Sequence, residues 1–281
     1  MQRIAVIGAG TMGAGIAQVL AQSGLEVRLY DADPKALEKT LENLTRRLRQ
    51  QVEKGRLSSD AGRKAQDALA PLTALAQLDW AQMVIEAVPE RLDLKREVFA
   101  QLDAHCAADA ILASNTSGLD VGQLTDAPQR RRQVIGMHFF NPPPVMPLVE
   151  LISTPYTDPT VLKTTRNLAE RLGKTPIVAA NKPGFAVNRI LFPMINEAIC
   201  ALEEGVATAE DIDRALQLGA SHPIGPLALA DFVGLDVTLD ILDSFAARMG
   251  AAKYQASPLL RAKVARGELG RKTGRGFFTY T

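Results

Sequence analysis

The chain has 281 residues, 47% of them hydrophobic and 22% charged, which suits one large or two ordinary globular domains and excludes a small disulfide scaffold or a disordered tail. With 32 Lys and Arg against 31 Asp and Glu the net charge is +1, so no global field favours nucleic acid or an anionic membrane, and any anion must be held by local groups. Two distant cysteines without a CxxC pair and three scattered histidines point to no metal site and suit a reducing cytoplasm.

Gln2–Ile7 is an apolar strand pattern, followed at once by Gly8-Ala9-Gly10-Thr11-Met12-Gly13 and then by Ile16, Val19 and Leu20 at helical spacing. The uncharged stretch Ile4–Leu25 is 22 residues long, as a membrane span would be. Five glycines with Gln18, Gln22 and Ser23 break it into a strand-like and a helix-like half, so neither a span nor a signal peptide is expected. Leu25–Tyr30 is a second strand, ending at Asp31, and completes a first βαβ unit. About fifty residues separate it from the next apolar run, Met83–Ala87, where a crossover needs on the order of a dozen. Leu37, Leu41, Leu44, Leu48 and Val52 recur there at helical spacing. They predict a long amphipathic helix, with a second through Ala61–Leu69: a hairpin over residues 35–70 standing off the sheet. Further strands are expected at Ala110–Ser114, Val134–His138 and Pro147–Ile152, and a helix at Leu92–Leu102. Beyond Pro183-Gly184 the patterns are helical, through Phe185–Glu203, Thr208–Leu218 (with Thr208 and Asp211 as a capping start) and Pro226–Met249. The expected fold is α/β, a Rossmann-type doubly wound sheet with an inserted helical hairpin in residues 1–183, followed by an all-helical domain in 184–281.

In the G-x-G-x-x-G run, Gly8 permits a tight turn, Gly10 admits a pyrophosphate to the backbone, and Gly13 packs helix on strand. Its place between a strand and a helix distinguishes it from a mere packing turn. Asp31, 23 residues after Gly8, can accept hydrogen bonds from an adenosine ribose, and with Asp33 nearby would repel a 2′-phosphate, which favours NAD over NADP.

Oxidation of an alcohol needs a group that takes the hydroxyl proton, and a histidine suits that task. His105 reads as a helix end and His222 as a loop residue. His138 ends an apolar strand at the edge where ligands bind in open α/β sheets; its alternative is a hydrogen-bonded core histidine. Glu150 stands in the apolar run Leu148–Ile152, where burial would require a partner, although the pattern alone favours a solvent-facing edge-strand position. Ser114-Asn115-Thr116-Ser117 follows another strand and could meet substrate oxygens or serve as a turn. Asn188 reads as a mid-helix amide. Lys39, Arg46, Arg49 and Arg56 fall on one side of the long helix, as a solvated face or an anion-binding stripe.

Together these residues resemble the 3-hydroxyacyl-CoA dehydrogenase family, most of all its bacterial members acting on 3-hydroxybutyryl-CoA. The resemblance spans nearly the whole chain. It is carried by Gly8–Gly13, Ser114–Ser117, His138-Phe139-Phe140-Asn141-Pro142, Pro183-Gly184-Phe185-Ala186-Val187-Asn188-Arg189, Gly225-Pro226 and Lys272-Thr273-Gly274-Arg275-Gly276-Phe277. It implies that His138 is the general base, Glu150 its partner, and Ser117 and Asn188 substrate-binding groups. It further implies cofactor contacts from the loop residues Gly8, Gly10, Thr11, Met12 and Gly13 and from Asp31, Glu90, Lys95, Asn141 and Lys272. The hairpin corresponds to the family's coenzyme A-contacting arm, which makes Arg46 and Arg49 candidates for its phosphates. Gly118 departs from the pattern, standing where many relatives have a second serine.

The function so implied is reversible NAD-dependent oxidation of an (S)-3-hydroxyacyl-CoA, in the cytoplasm, by a homodimer whose helical domain closes the cleft. Two other readings remain at this point: a sugar-acid (gulonate-type) dehydrogenase of the same fold, which the basic arm disfavours, and a non-catalytic NAD-binding structural protein, which the retained catalytic positions disfavour.

Overall fold

The computed structural model describes residues 1–250 and 252–280, and the chain forms two compact units, Met1–Phe185 and Ala186–Thr281. The strands of the first unit are β1 (Arg3–Ile7), β2 (Glu26–Tyr30), β3 (Leu69–Pro71), β4 (Met83–Glu86), β5 (Ile111–Ser114), β6 (Val134–Phe139), β7 (Leu148–Ser153) and β8 (Thr175–Ala180). They form one sheet in the order β3-β2-β1-β4-β5-β6-β7-β8. Strands β1 to β6 run parallel, β7 is antiparallel to β6, and β8 is parallel to β7. The central strands are buried along nearly their whole length, as expected of strands covered on both faces. The link between β6 and β7, residues 140–147, is too short for the roughly dozen-residue crossover a parallel pair needs, so the chain turns back on itself there.

The helices of this unit are α1 (Thr11–Gln22), α2 (Pro34–Glu53), α3 (Ser59–Asp67), α4 (Leu92–His105) and α5 (Pro159–Arg171). Helix α2 starts where its sequence directs it to, with Asp33 accepting a hydrogen bond from the Lys35 N–H and Pro34 in the first turn. Two strands escape the sequence patterns. The short β3 pairs with β2, so the α2–α3 hairpin is itself the crossover between them and not an excursion from the sheet. Nor does the hairpin stand off: Leu37, Leu44 and Leu48 are buried in the same core as Ile16, Val19 and Leu20 of α1. At roughly 1.5–3 kcal/mol per buried leucine, that stripe ties the arm to the domain. The other unforeseen strand, β8, covers β7 and makes it an interior strand.

The second unit contains α6 (Val187–Glu203), α7 (Ala209–Gly219), α8 (Pro226–Val233), α9 (Leu235–Met249) and α10 (Pro258–Ala265). Its core is formed by residues such as Phe192, Ile195, Leu227, Leu242 and Phe245. Thr208 caps α7, accepting from the Asp211 N–H at 3.2 Å. The single pattern over Pro226–Met249 is two helices, divided at Gly234, whose φ of 107° breaks the helical path. Among the described residues, no helix is long and apolar enough to cross a membrane.

Candidate active site

The glycine loop joins β1 to α1 at the carboxyl edge of the sheet. A Cβ on Gly8 would lie 2.7 Å from the Ala87 carbonyl oxygen, and one on Gly13 only 1.8 Å from that of Gly8, so both glycines are fixed by backbone packing. Gly10 has nothing within 4 Å of the same position, which leaves its backbone open to a ligand. No side chain caps α1, so the N–H groups of its first turn are available to a pyrophosphate. Asp31, just past β2, accepts from the Ala9 N–H at 2.7 Å and the Asp33 N–H at 3.0 Å, which holds its carboxylate beside the loop. An adjoining cleft of about 270 Å³ is lined by Gly10, Thr11, Lys39, Thr40 and Arg47, among others. This donor set fits a dinucleotide. Met12 is half-buried in the first turn of α1.

His138 and Glu150 are paired Cα positions of the antiparallel strands β6 and β7, a register that puts both side chains on one face of the sheet. Their side chains meet, with His138 Nδ1 2.8 Å from Glu150 Oε2. Glu150 is completely buried, and the imidazole lies against Phe140 and Phe185, with ring centroids 4.5 and 5.8 Å away. The edge-strand position suggested by the pattern around Glu150 is thus wrong, because β8 lies outside β7. With Glu150 ionised the carboxylate can only accept, which puts the proton on Nδ1 and leaves the lone pair on Nε2.

A second cluster gathers at the ends of β4 and β5. Glu90 Oε1 accepts from Thr116 Oγ1 at 2.6 Å, from the Ser117 N–H at 2.9 Å and from Ser117 Oγ at 3.3 Å. Glu90 Oε2 lies 3.4 Å from the Lys95 ammonium, which is almost completely buried. Asn115 Oδ1 accepts from the Phe139 N–H at 2.9 Å and so ties this loop to the end of the strand carrying His138. Asn141 follows that strand and is exposed. Lys174 secures the same segment, donating to the Pro143 and Met146 carbonyls at 2.6 and 2.9 Å.

The basic residues of the arm divide between two faces. Arg46 and Arg49 line an outer surface depression together with Glu38 and Glu42, and Arg46 donates to Asn43 Oδ1 at 2.6 Å. Arg47, Lys54 and Arg56 line a different cleft, of about 370 Å³, whose opposite wall includes Pro142, Pro143 and Val145. Arg56 lies beyond the end of α2, so it belongs to no helical stripe. Charge clustering on a helical wheel singles out Lys39, Arg46, Arg49 and Arg56 and passes over Arg47, which flanks the apolar stripe beside Leu44 and Leu48 and lines the cleft.

Asn188 and Lys272 belong to the second unit. Asn188 is the second residue of α6, not a mid-helix amide, and Lys272 is paired with Asp236 in the first turn of α9. Sequence reasoning passed over Glu86, a carboxylate ending an apolar strand, which was itself a signal.

Comparison with known proteins accords with this geometry. The model of the 3-hydroxyacyl-CoA dehydrogenase NAD binding domain matches residues 3–182, and that of the C-terminal domain of the same family matches residues 184–280. A probable 3-hydroxybutyryl-CoA dehydrogenase of Bacillus subtilis is 44% identical over 280 residues, covering 100% of this chain and 98% of the relative. The human mitochondrial hydroxyacyl-coenzyme A dehydrogenase is 40% identical, with 100% and 91% covered. The crystal structure of (S)-3-hydroxybutyryl-CoA dehydrogenase from Ralstonia eutropha superimposes with a TM-score of 0.94 at 43% identity, covering 99% of this chain and 98% of that one.

Proposed function

The chain belongs to the 3-hydroxyacyl-CoA dehydrogenase family, and from that membership we infer that it oxidises the 3-hydroxyl of an (S)-3-hydroxyacyl-CoA to the 3-oxoacyl-CoA, reversibly and with NAD. Its substrate is 3-hydroxybutyryl-CoA, the compound named for relatives at 44% and 43% identity. The observation that carries this reading is the buried His138–Glu150 pair at the edge of the sheet beside an open glycine loop.

Bound NAD supplies the acceptor for the hydride from C3. The glycine loop would hold its pyrophosphate and Asp31 its adenosine ribose, with Glu90, Lys95, Asn141 and Lys272 assigned to it by family resemblance. His138 Nε2 takes the proton of the 3-hydroxyl, and Glu150 holds Nδ1–H and stabilises the imidazolium that forms. In the reverse direction the charged ring returns that proton to the oxygen on C3. Family resemblance assigns Ser117 and Asn188 to the substrate oxygens. Arg47, Lys54 and Arg56 hold the coenzyme A phosphates in the arm cleft, a role the sequence had suggested for Arg46 and Arg49. The protein acts in the cytoplasm as a homodimer; its second unit exposes Ile190, Leu218 and Phe232, each at least 60% accessible, to which a second copy would be matched.

The test compares kcat/KM for (S)-3-hydroxybutyryl-CoA with the values for free 3-hydroxybutyrate and for gulonate. Binding energy from the remote coenzyme A should favour the thioester by roughly 10²–10⁴-fold. Comparable turnover of gulonate would favour a sugar-acid dehydrogenase, and no turnover of any substrate would favour a structural protein.

A further inference from the structure

We infer that Glu86 is a positioning residue of this site, setting through Lys95 and Glu90 where the Ser117 hydroxyl stands; the inference rests on Ser117 being a substrate-binding group. Glu86 is the last residue of β4 and is paired in register with Ser114, the last residue of β5. Its carboxylate is 0% exposed, a placement that costs several kcal/mol unless donors surround it. They do. Oε1 accepts from the Lys95 ammonium at 2.6 Å and the Val88 N–H at 2.7 Å, and Oε2 from Ser114 Oγ at 2.6 Å. Ser114 Oγ in turn accepts from the Thr116 N–H at 3.2 Å. One buried carboxylate therefore fixes the segment after β4, the loop after β5 and a side chain of α4.

The two contacts of Lys95 with carboxylates are unequal, at 2.6 Å to Glu86 and 3.4 Å to Glu90. Because Glu86 takes the ammonium as its close partner, Glu90 is held only loosely from that side, and its other oxygen stays on Thr116 and Ser117. Without the Glu86 charge, the buried ammonium has Glu90 as its nearest anion and draws it inward, away from Ser117. The loop from 87 to 90 also touches the glycine loop, since the Ala87 carbonyl and Val88 nitrogen lie where a Gly8 Cβ would be. A displacement there reaches the cofactor loop as well as the substrate loop.

The experiment is a double-mutant cycle of Glu86→Gln and Lys95→Met on the full chain, read in steady-state kcat and KM with 3-hydroxybutyryl-CoA. Glu86→Gln should lower kcat by roughly 10–100-fold, the scale of an ångström-level misplacement, with KM for the thioester within about threefold of wild type. The double variant should be no slower than Lys95→Met alone, because residues acting as one unit are non-additive. Wild-type kcat in Glu86→Gln, or effects that multiply in the double variant, would overturn the inference. Should a single variant fail to fold, Ser114→Ala removes one anchor of Glu86 without changing charge. It should lower kcat by about 3–10-fold, and an unchanged kcat would likewise overturn the inference. A wild-type protein that does not oxidise the thioester would overturn the functional reading itself, a result separate from either of these.

Discussion

His138 and Glu150 face each other across the antiparallel pair β6–β7, with Nδ1 and Oε2 2.8 Å apart and the carboxylate entirely enclosed. The reversal of chain direction at residues 140–147 is what produces this contact. Opposite residues of an antiparallel pair lie on the same face with their Cβ atoms about 4.5–5.5 Å apart, which brings a glutamate within reach of an imidazole. Both backbones are locked in the sheet, so the pair is rigid before substrate arrives.

Glu150→Gln keeps the size of the side chain and removes its charge. We expect the fold and NADH affinity to be retained and kcat to fall by roughly 10²-fold or more, because the ring loses the partner that holds Nδ1–H and stabilises the imidazolium. A Glu150→Gln rate within a few-fold of wild type would mean that the carboxylate does not act on the ring.

Asp31 is held against the glycine loop by the Ala9 N–H at 2.7 Å, where its carboxylate would accept from a ribose diol and repel a phosphate. Steady-state kinetics with both cofactors should give kcat/KM at least about tenfold higher with NAD than with NADP. Asp31→Ala should narrow that ratio, chiefly through the KM for NAD. Equal use of both cofactors by the wild type would mean that Asp31 does not meet the ribose.

On the arm, Arg47→Ala with Lys54→Ala should raise KM for the CoA thioester more than Arg46→Ala with Arg49→Ala, since the first pair lines the cleft beside Pro142–Val145. The defect should shrink at high salt, where charge interactions are screened within about 8–10 Å or less. A pantetheine thioester, which lacks the phosphates, should be indifferent to the change. Equal loss with the truncated substrate would assign these residues to the fold.

Asp158, the cap of α5, is held down to about 2 by the Thr160 backbone N–H, then by the Thr160 hydroxyl and the Arg132 guanidinium. A depressed carboxylate contributes stability that is full above its ordinary value of 3.8 and is lost as pH falls through about 2. Thermal melts should therefore show Asp158→Asn below wild type at neutral pH, with the gap closing toward pH 2. A gap that persists at pH 2 would show that the side chain acts as a neutral cap.

The core strands β1, β4, β5 and β6 were legible because each is an apolar run ended by a polar or glycine residue at the sheet edge. The outer strands were not. Leu69–Pro71 is too short to show a period, and Thr175–Ala180 carries exposed residues such as Val178 beside Thr and Pro. Missing β8 made Glu150 look like an edge residue, and missing β3 made the hairpin look like an addition to the sheet. His138 could be singled out by its place at a strand end. Its contact with Glu150 depends on a strand direction that local patterns do not encode, and the family resemblance alone suggested it. The arm shows the same limit: a charge stripe can be counted on a helix, but which side meets another wall is decided by tertiary packing.

The most direct measurement is NADH formation from (S)-3-hydroxybutyryl-CoA by the wild type and by His138→Gln, with NADH affinity measured on both. The wild type should turn over with kcat/KM in the range of roughly 10⁴–10⁸ M⁻¹s⁻¹. His138→Gln should bind NADH as the wild type does and lose roughly 10²–10⁴-fold in kcat, the usual contribution of a general base. A His138→Gln rate within a few-fold of wild type, or a wild type that forms no NADH from the thioester, would contradict the account.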